Sequence, residues 1–144
     1  RTHPYWYARV VLIFHVNVQY CKDPRSPYST PTRMDVLFVR WLRRDNTPTG
    51  WMAKRLQRLE FFDQENQEEA FGFLDPDSVI RGVHLIPAFS YGSTQDLLPG
   101  PSFIRQEKGT EGWDKDWRYL YINIFVDRDM FMRFRGGGIG HKIT

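Results

Sequence analysis

Apolar and polar residues alternate along the first clear segment of the chain. From Trp6 the even positions read Trp6, Ala8, Val10, Leu12, Phe14, Val16, Val18 and Tyr20; the odd positions carry Arg9, His15, Asn17 and Gln19, with Val11 and Ile13 between them. Period two over this span predicts a long β-strand whose even set faces the core. A strand of that length bends or takes up a bulge, as strands do at barrel corners.

The rest of the chain repeats this grammar in shorter pieces. Residues 21–32 (CKDPRSPYSTPT) hold three prolines with Ser and Thr and predict a loop. RMDVLFVRWLRRD predicts a second strand ending at Asp45, and NTPTG a turn. WMAKRLQRLEFF fits a helix through Met52, Leu56 and Leu59, but its place after a hairpin-like turn favours a strand. Residues 63–69 (DQENQEE) read as a solvated acidic loop. FLDPDSVIRG predicts one helical turn, with Asp75 as N-cap and Pro76 at the first helical position.

VHLIPAF predicts a strand in which Pro87 is confined to an edge or a bulge. Residues 91–116 are rich in Gly, Pro, Ser and charge and read as a long, partly mobile connection. WRYLYINIFV is the last clear strand, and DRDMFMRF either a short capped helix or the strand's continuation. Four or five strands and one or two short helices joined by long loops make a mainly β domain. The expected architecture is a small, strongly bent β-barrel, because closure removes exposed edges. The domain is expected over residues 1–135, with a Gly-rich basic tail over 136–144.

Length and composition narrow the class. The chain has 144 residues, enough for one domain with a real core. Its aromatic fraction of 16% argues for folding rather than disorder. No apolar run approaches the ~20 residues that span a bilayer, so no membrane partner is expected. The start shows neither an initiator Met nor a signal pattern, which suggests a piece of a longer protein. A single Cys21 cannot form an internal disulfide and fits a reducing compartment.

Charge is divided along the chain more sharply than the net +3 implies. Residues 1–59 carry 11 basic and 3 acidic side chains, and residues 60–129 carry 6 basic and 14 acidic. Such blocks either pair across the fold or leave a basic face for an acidic partner.

Candidate chemistry is sparse. RGGGIGHK matches a dinucleotide loop at Gly136 and Gly138, but the third glycine position falls on His141 and no helix follows. Lys142 is not preceded by Gly, so the P-loop pattern fails as well. Asp127 and Asp129 are spaced to hold a cation if extended, yet Asp is also a common helix cap. His3, His15, His84 and His141 show no ligand spacing, and Cys21 and the serines lack a nucleophile context. No catalytic residue, metal or cofactor is expected.

The basic cluster is the stronger signal. Arg40, Arg43 and Arg44 flank Trp41, and Lys54, Arg55 and Arg58 follow Trp51. On adjacent strands these charges and rings form a surface able to neutralise phosphates and stack bases. The alternative is that the tryptophans are core residues and the arginines pair with the acidic 60–69 segment.

RMDVLFVRWLRRD, AFGFLDPDSVIRGVHLIPAF and INIFVDRDMFMRFRGGGIGH resemble the C-terminal region of proteins encoded by Plavaka-type transposons of mushroom-forming fungi, relatives of the KDZ and CACTA transposases. The resemblance covers roughly residues 5–141. It makes GGGIGH a recurrent family ending rather than a nucleotide loop. The family's DNA-cutting carboxylates belong to a separate upstream domain, so Asp127 and Asp129 inherit no catalytic role. Plant CACTA-type proteins carry a comparable small β domain of unknown function. Bromo-adjacent-homology domains, which bind chromatin, are similar at the level of fold alone.

The reading that follows is a non-catalytic accessory domain, intracellular and nuclear, that contacts nucleic acid or chromatin through Arg40, Arg43, Arg44, Lys54, Arg55 and Arg58. One alternative is a protein-interaction or self-assembly module using aromatic residues of YLYINIF, with a homo-oligomer as its product. The other is a hydrolase or nuclease acting through carboxylates and His.

Overall fold

The computed structural model describes residues 5–25, 27–63, 70–98, 100, 102, 104–105 and 115–135. The chain forms strands β1 (Tyr7–Val18), β2 (Thr32–Arg44), β3 (Arg58–Phe61), β4 (Phe71–Leu74), β5 (Leu85–Pro87), β6 (Ser93–Thr94), β7 (Asp116–Trp117) and β8 (Leu120–Ile122). Helix α1 (Arg128–Arg135) closes the described chain, and short 3₁₀ turns span Pro76–Ser78 and Phe89–Tyr91. The strands pair antiparallel. In the larger sheet the order is β1-β2-β3-β8-β5, with β4 also on β2; β6 and β7 form a separate ribbon. The domain is mainly β as expected, and among the described residues no ladder joins the two ends of the sheet into a closed barrel.

β2 is the spine. One of its edges pairs with β1 along nearly its whole length. The other takes β3 opposite Leu42–Arg44 and β4 opposite Leu37–Arg40. Residues 32–36 therefore extend past β4 and form, with the second half of β1, a two-stranded ribbon.

The first strand corrects the alternation in an instructive way. Its register on β2 runs Val10↔Val39 and then Leu12↔Phe38, so Val11 is an extra residue in a bulge. Paired residues share a face, so the bulge exchanges which parity points toward the core. Before it the odd residues Tyr7 and Arg9 lie beside Leu42 and Arg40; after it Leu12, Phe14 and Val16 lie beside Phe38, Val36 and Met34. Tyr7 is the buried core residue, whereas Trp6 and most of the even set are exposed.

The core gathers Tyr7, Leu42, Leu59, Phe61, Leu120, Ile122 and Met130. Met130 arrives on α1, which begins where Asp127 caps it: the Asp127 carboxylate accepts from the Met130 N–H at 2.8 Å. DRDMFMRF is thus a capped helix. The Asp75 cap expected before Pro76 is also present, its carboxylate accepting from the Asp77 N–H. Pro87 ends β5, an edge strand, where its missing N–H costs no ladder bond. Of WMAKRLQRLEFF, only Arg58–Phe61 is a strand; Trp51–Lys54 is a turn closed by a bridge between Gly50 and Arg55. Tyr7 titrates well above the ordinary tyrosine range, because burial disfavours the phenolate despite nearby Arg44.

The 91–116 connection is anchored rather than loose in its described part. Asp116 on β7 takes a bidentate ion pair from Arg40 at 2.9 and 3.0 Å, and a second from Arg105 at 3.2 Å. All three side chains are almost wholly buried. Arg40 also donates to the Leu97 carbonyl, and Arg105 to those of Leu98 and Gly100. Replacing Asp116 by Ala leaves two buried guanidiniums without their carboxylate. Urea unfolding is expected to show a loss of about 3–5 kcal/mol. The triple variant R40M/R105M/D116L, which removes every charge of the group, is expected to lose far less.

Candidate interaction site

The six basic residues expected to form one surface are not assembled into one. Arg40 is fully buried under its Asp116 pair, with its guanidinium 3.9 Å from the Phe61 ring centre. Arg58 is buried as well: it donates to Asp45 at 2.7 Å and lies over Tyr119 and Tyr91. Neither can reach a phosphate outside the fold, so both leave the predicted surface. Arg43 pairs with Glu60, its cross-strand neighbour, at 3.0 Å and with Asp63 at 3.3 Å. Arg55 pairs with Asp45 and donates to the Thr47 hydroxyl. Arg44 and Lys54 are exposed.

The two tryptophans part company. Trp41 is half-buried over Gly72, where an added Cβ would lie 2.7 Å from the indole Nε1. Trp51 is 88% exposed on the tight turn, beside the equally bare Met52. The pairing of basic β2 residues with the acidic 60–69 segment, the alternative reading of the sequence, is realised at Arg43. Residues 64–69 lie outside the described residues, as do the 136–144 tail, His3 and His141.

The remaining candidate chemistry resolves into structure. Arg81 binds both Asp127 and Asp129, and Asp129 also takes Arg133 one turn along α1 at 2.8 Å. The Asp127 carboxyl is held below the ordinary range by the capping Met130 N–H and by Arg81; that of Asp129 by Arg133 and Arg81. Among the described residues no three His, Cys, Asp or Glu side chains converge as a metal site.

What the structure does assemble is apolar. The face of β2 that bears Leu42 and Arg40 continues into Phe38, Val36 and Met34. Burial falls steadily along it: Leu42 and Arg40 are buried, Phe38 and Val36 half-buried, and Met34 exposed. Leu12, Phe14 and Val16 of β1 flank this row, and Phe71 and Phe73 of β4 lie opposite Arg40 and Phe38. Rings connect the patch: Phe38 is 5.7 Å from Phe71 and 5.4 Å from Phe73, and Phe14 is 6.2 Å from Phe73. Phe73 is nevertheless 69% exposed. A cleft of about 390 Å³ borders the patch, between Met34, Val36 and Phe73 on one side and the Asp75–Asp77 turn on the other.

This surface runs on to the edge of the sheet. β1 is the terminal strand, and its outer edge carries no ladder among the described residues. Val10 to Val18 contains no Asp, Glu, Lys or Arg, and Ile13 is 76% exposed. In YLYINIF, the stretch expected to offer aromatic contacts, Leu120 and Ile122 enter the core, whereas Tyr119 and Tyr121 are half-buried and Phe125 is 58% exposed. The sequence carries a sign of this patch: both parities of β1 are apolar around Val11 and Ile13, more than a half-covered strand needs. Nothing in the sequence singles out Asp116 or Arg105.

Compared with protein-family models, curated proteins and solved structures, the chain matches none. Among the described residues no helix is long and apolar enough to cross a membrane.

The Asp45–Arg58 pair gives this region a pH signature. Burial raises the Asp45 carboxyl, but hydrogen bonds from the Thr47 hydroxyl and N–H and from Arg58 outweigh it, leaving Asp45 below its ordinary value. A carboxyl depressed in the folded state contributes stability above the unfolded value of about 4 and loses it as pH falls through the folded value. Between pH 6 and 3 the wild-type Tm is expected to fall more steeply than that of Asp45→Asn. Parallel curves in a thermal melt series would show that the pair contributes nothing.

Proposed function

We propose that this domain is a non-catalytic interaction module that holds another polypeptide on the uncovered half of its main sheet. The observation that carries the reading is the continuous apolar surface formed by Leu12, Phe14, Val16, Met34, Val36, Phe38 and Phe73, which adjoins the unpaired edge of β1. Contiguous exposed apolar patches of this kind mark contact surfaces, and a two-stranded ribbon bare on one face is at best marginally stable alone. The resemblance to the C-terminal region of transposon-encoded proteins is compatible with an accessory, non-catalytic role.

A second reading keeps a nucleic-acid or chromatin partner, and the exposure of Trp51 favours it. A bare indole beside Lys54 on a short turn suits stacking on an unpaired base with a phosphate nearby. Its site reduces to Trp51, Lys54 and Arg44. Fluorescence anisotropy of labelled single-stranded DNA and RNA tests it. This reading requires binding that weakens steeply with salt and is lost in Trp51→Ala/Lys54→Ala.

The first reading separates contact surface from hidden core. Met34→Lys and Phe73→Lys are each expected to leave the unfolding free energy within about 1 kcal/mol of wild type while lowering the fluorescence of a bound hydrophobic dye. A loss of several kcal/mol on either substitution would make the patch part of the core and end the reading.

A further inference from the structure

The sheet edge beside the patch identifies what can occupy it. Resting on the interaction-module reading, we propose that the partner is a second copy of this chain, joined strand to strand along the outer edge of β1. An unpaired edge strand presents a row of N–H and C=O groups that templates another strand. Proteins that stay apart protect such edges with Lys, Pro, inward charges, bulges or brevity. β1 has twelve residues, and its one bulge lies at Val11, so Leu12–Val18 remains a regular strand. That regular part contains neither Lys nor Pro.

The strand is also complementary to itself. A two-fold axis through Phe14 sets Phe14 opposite the same residue of the second copy, Leu12 opposite Val16, and Ile13 opposite His15. Leu12, Phe14 and Val16 then form one apolar row on the uncovered face of both copies, and no two like-charged residues meet. A register shifted by one residue would set that row against Ile13, His15 and Asn17 and lose the match. Isologous pairing of this kind closes on itself as a dimer. Polyphosphate chains are poorly matched to the same edge, because Val10–Val18 offers no Lys or Arg and Asp75 and Asp77 stand at the border of the patch.

An edge joint of this length is small beside the 1,200–2,000 Å² that stable interfaces bury, so the dimer is expected to be weak, with Kd of about 10–100 µM. Sedimentation velocity of the wild-type chain across that range tests it. The expected result is a concentration-dependent monomer–dimer equilibrium. The double variant L12K/V16K sets Lys against Lys twice and is expected to be monomeric throughout; L12K/V16E sets Lys against Glu in the same two places and is expected to dimerise again. Ile13→Lys, at a position that contributes little to the fold, is expected to weaken the dimer at least tenfold. Circular dichroism melts establish that each variant is folded.

A folded wild-type chain that stays monomeric, open-ended oligomers, or an L12K/V16K variant that dimerises like wild type would each overturn the second-copy inference. Failure of L12K/V16E to re-form the dimer would overturn the axis through Phe14. A monomer that still binds the hydrophobic dye through Met34 and Phe73 would leave the interaction-module reading standing, so the two failures are distinguishable.

Discussion

The bidentate pair between Arg40 and Asp116 is the constraint on which the arrangement of this domain turns. It lies in the second half of β2, on the face that also carries the core, and it ties the β6–β7 ribbon and the carbonyls of Leu97, Leu98 and Gly100 to the sheet through Arg40 and Arg105. A buried guanidinium is tolerated only with its donors satisfied. Here one carboxylate and a set of backbone carbonyls serve two guanidiniums, while Phe61 supplies a ring face to Arg40. Among the described residues the Arg40 Nε has no hydrogen-bond partner. Removing one member is therefore far costlier than removing the group, the general asymmetry of buried ion pairs.

That constraint also sets where the cover stops. From the Arg40 position toward Leu42, the sheet face is closed by Met130 of α1, Leu120 and Ile122. In the other direction nothing among the described residues closes it, and burial declines through Phe38 and Val36 to Met34. The bulge at Val11 matters for the same reason. Without the extra residue, β1 would present Ile13 and His15 rather than Leu12, Phe14 and Val16 to this face, and the patch would be broken. Two local features, one electrostatic and one of backbone register, thus divide a single strand pair into a core half and an uncovered half.

Much of the secondary structure was legible in the residues because its causes are local. Period-two alternation marks β1, β-branched and aromatic residues mark β2, and Asp75–Pro76 marks a helical turn, while Asp127 left a capped helix and a continuing strand both open. What depends on distant contacts was not legible. The even set of β1 faces the core side only after the bulge, and no periodicity shows which half of that side is covered. The arginines of β2 look alike in the sequence. Arg33 pairs with Asp35 on the surface, Arg40 is sealed under Asp116, Arg43 pairs with Glu60 and Asp63, and Arg44 is exposed. Which fate befalls each depends on strand parity and on a carboxylate 76 positions away. Closure into a barrel was inferred from the cost of bare edges, and among the described residues the outer edge of β1 carries no ladder.

A bare edge then calls for its own physical account. Sheets of this size can shield a terminal strand at little cost, since one lysine at a solvent-facing position suffices. β1 holds its single cation, Arg9, before the bulge, where the guanidinium lies 4.9 Å from the Phe61 ring centre and is drawn toward the core. Desolvation of the guanidinium and the neighbouring Arg40 lower its pKa, opposed by Asp116, while the residue as a whole stays exposed at the near end of the strand. Beyond the bulge, Leu12–Val18 carries no Asp, Glu, Lys or Arg to oppose pairing. In a chain with 26% charged residues, that segregation is a property of sequence placement rather than of composition. A strand without such protection, beside an apolar face, is suited to being paired, and the proposed second β1 matches it in length, register and charge.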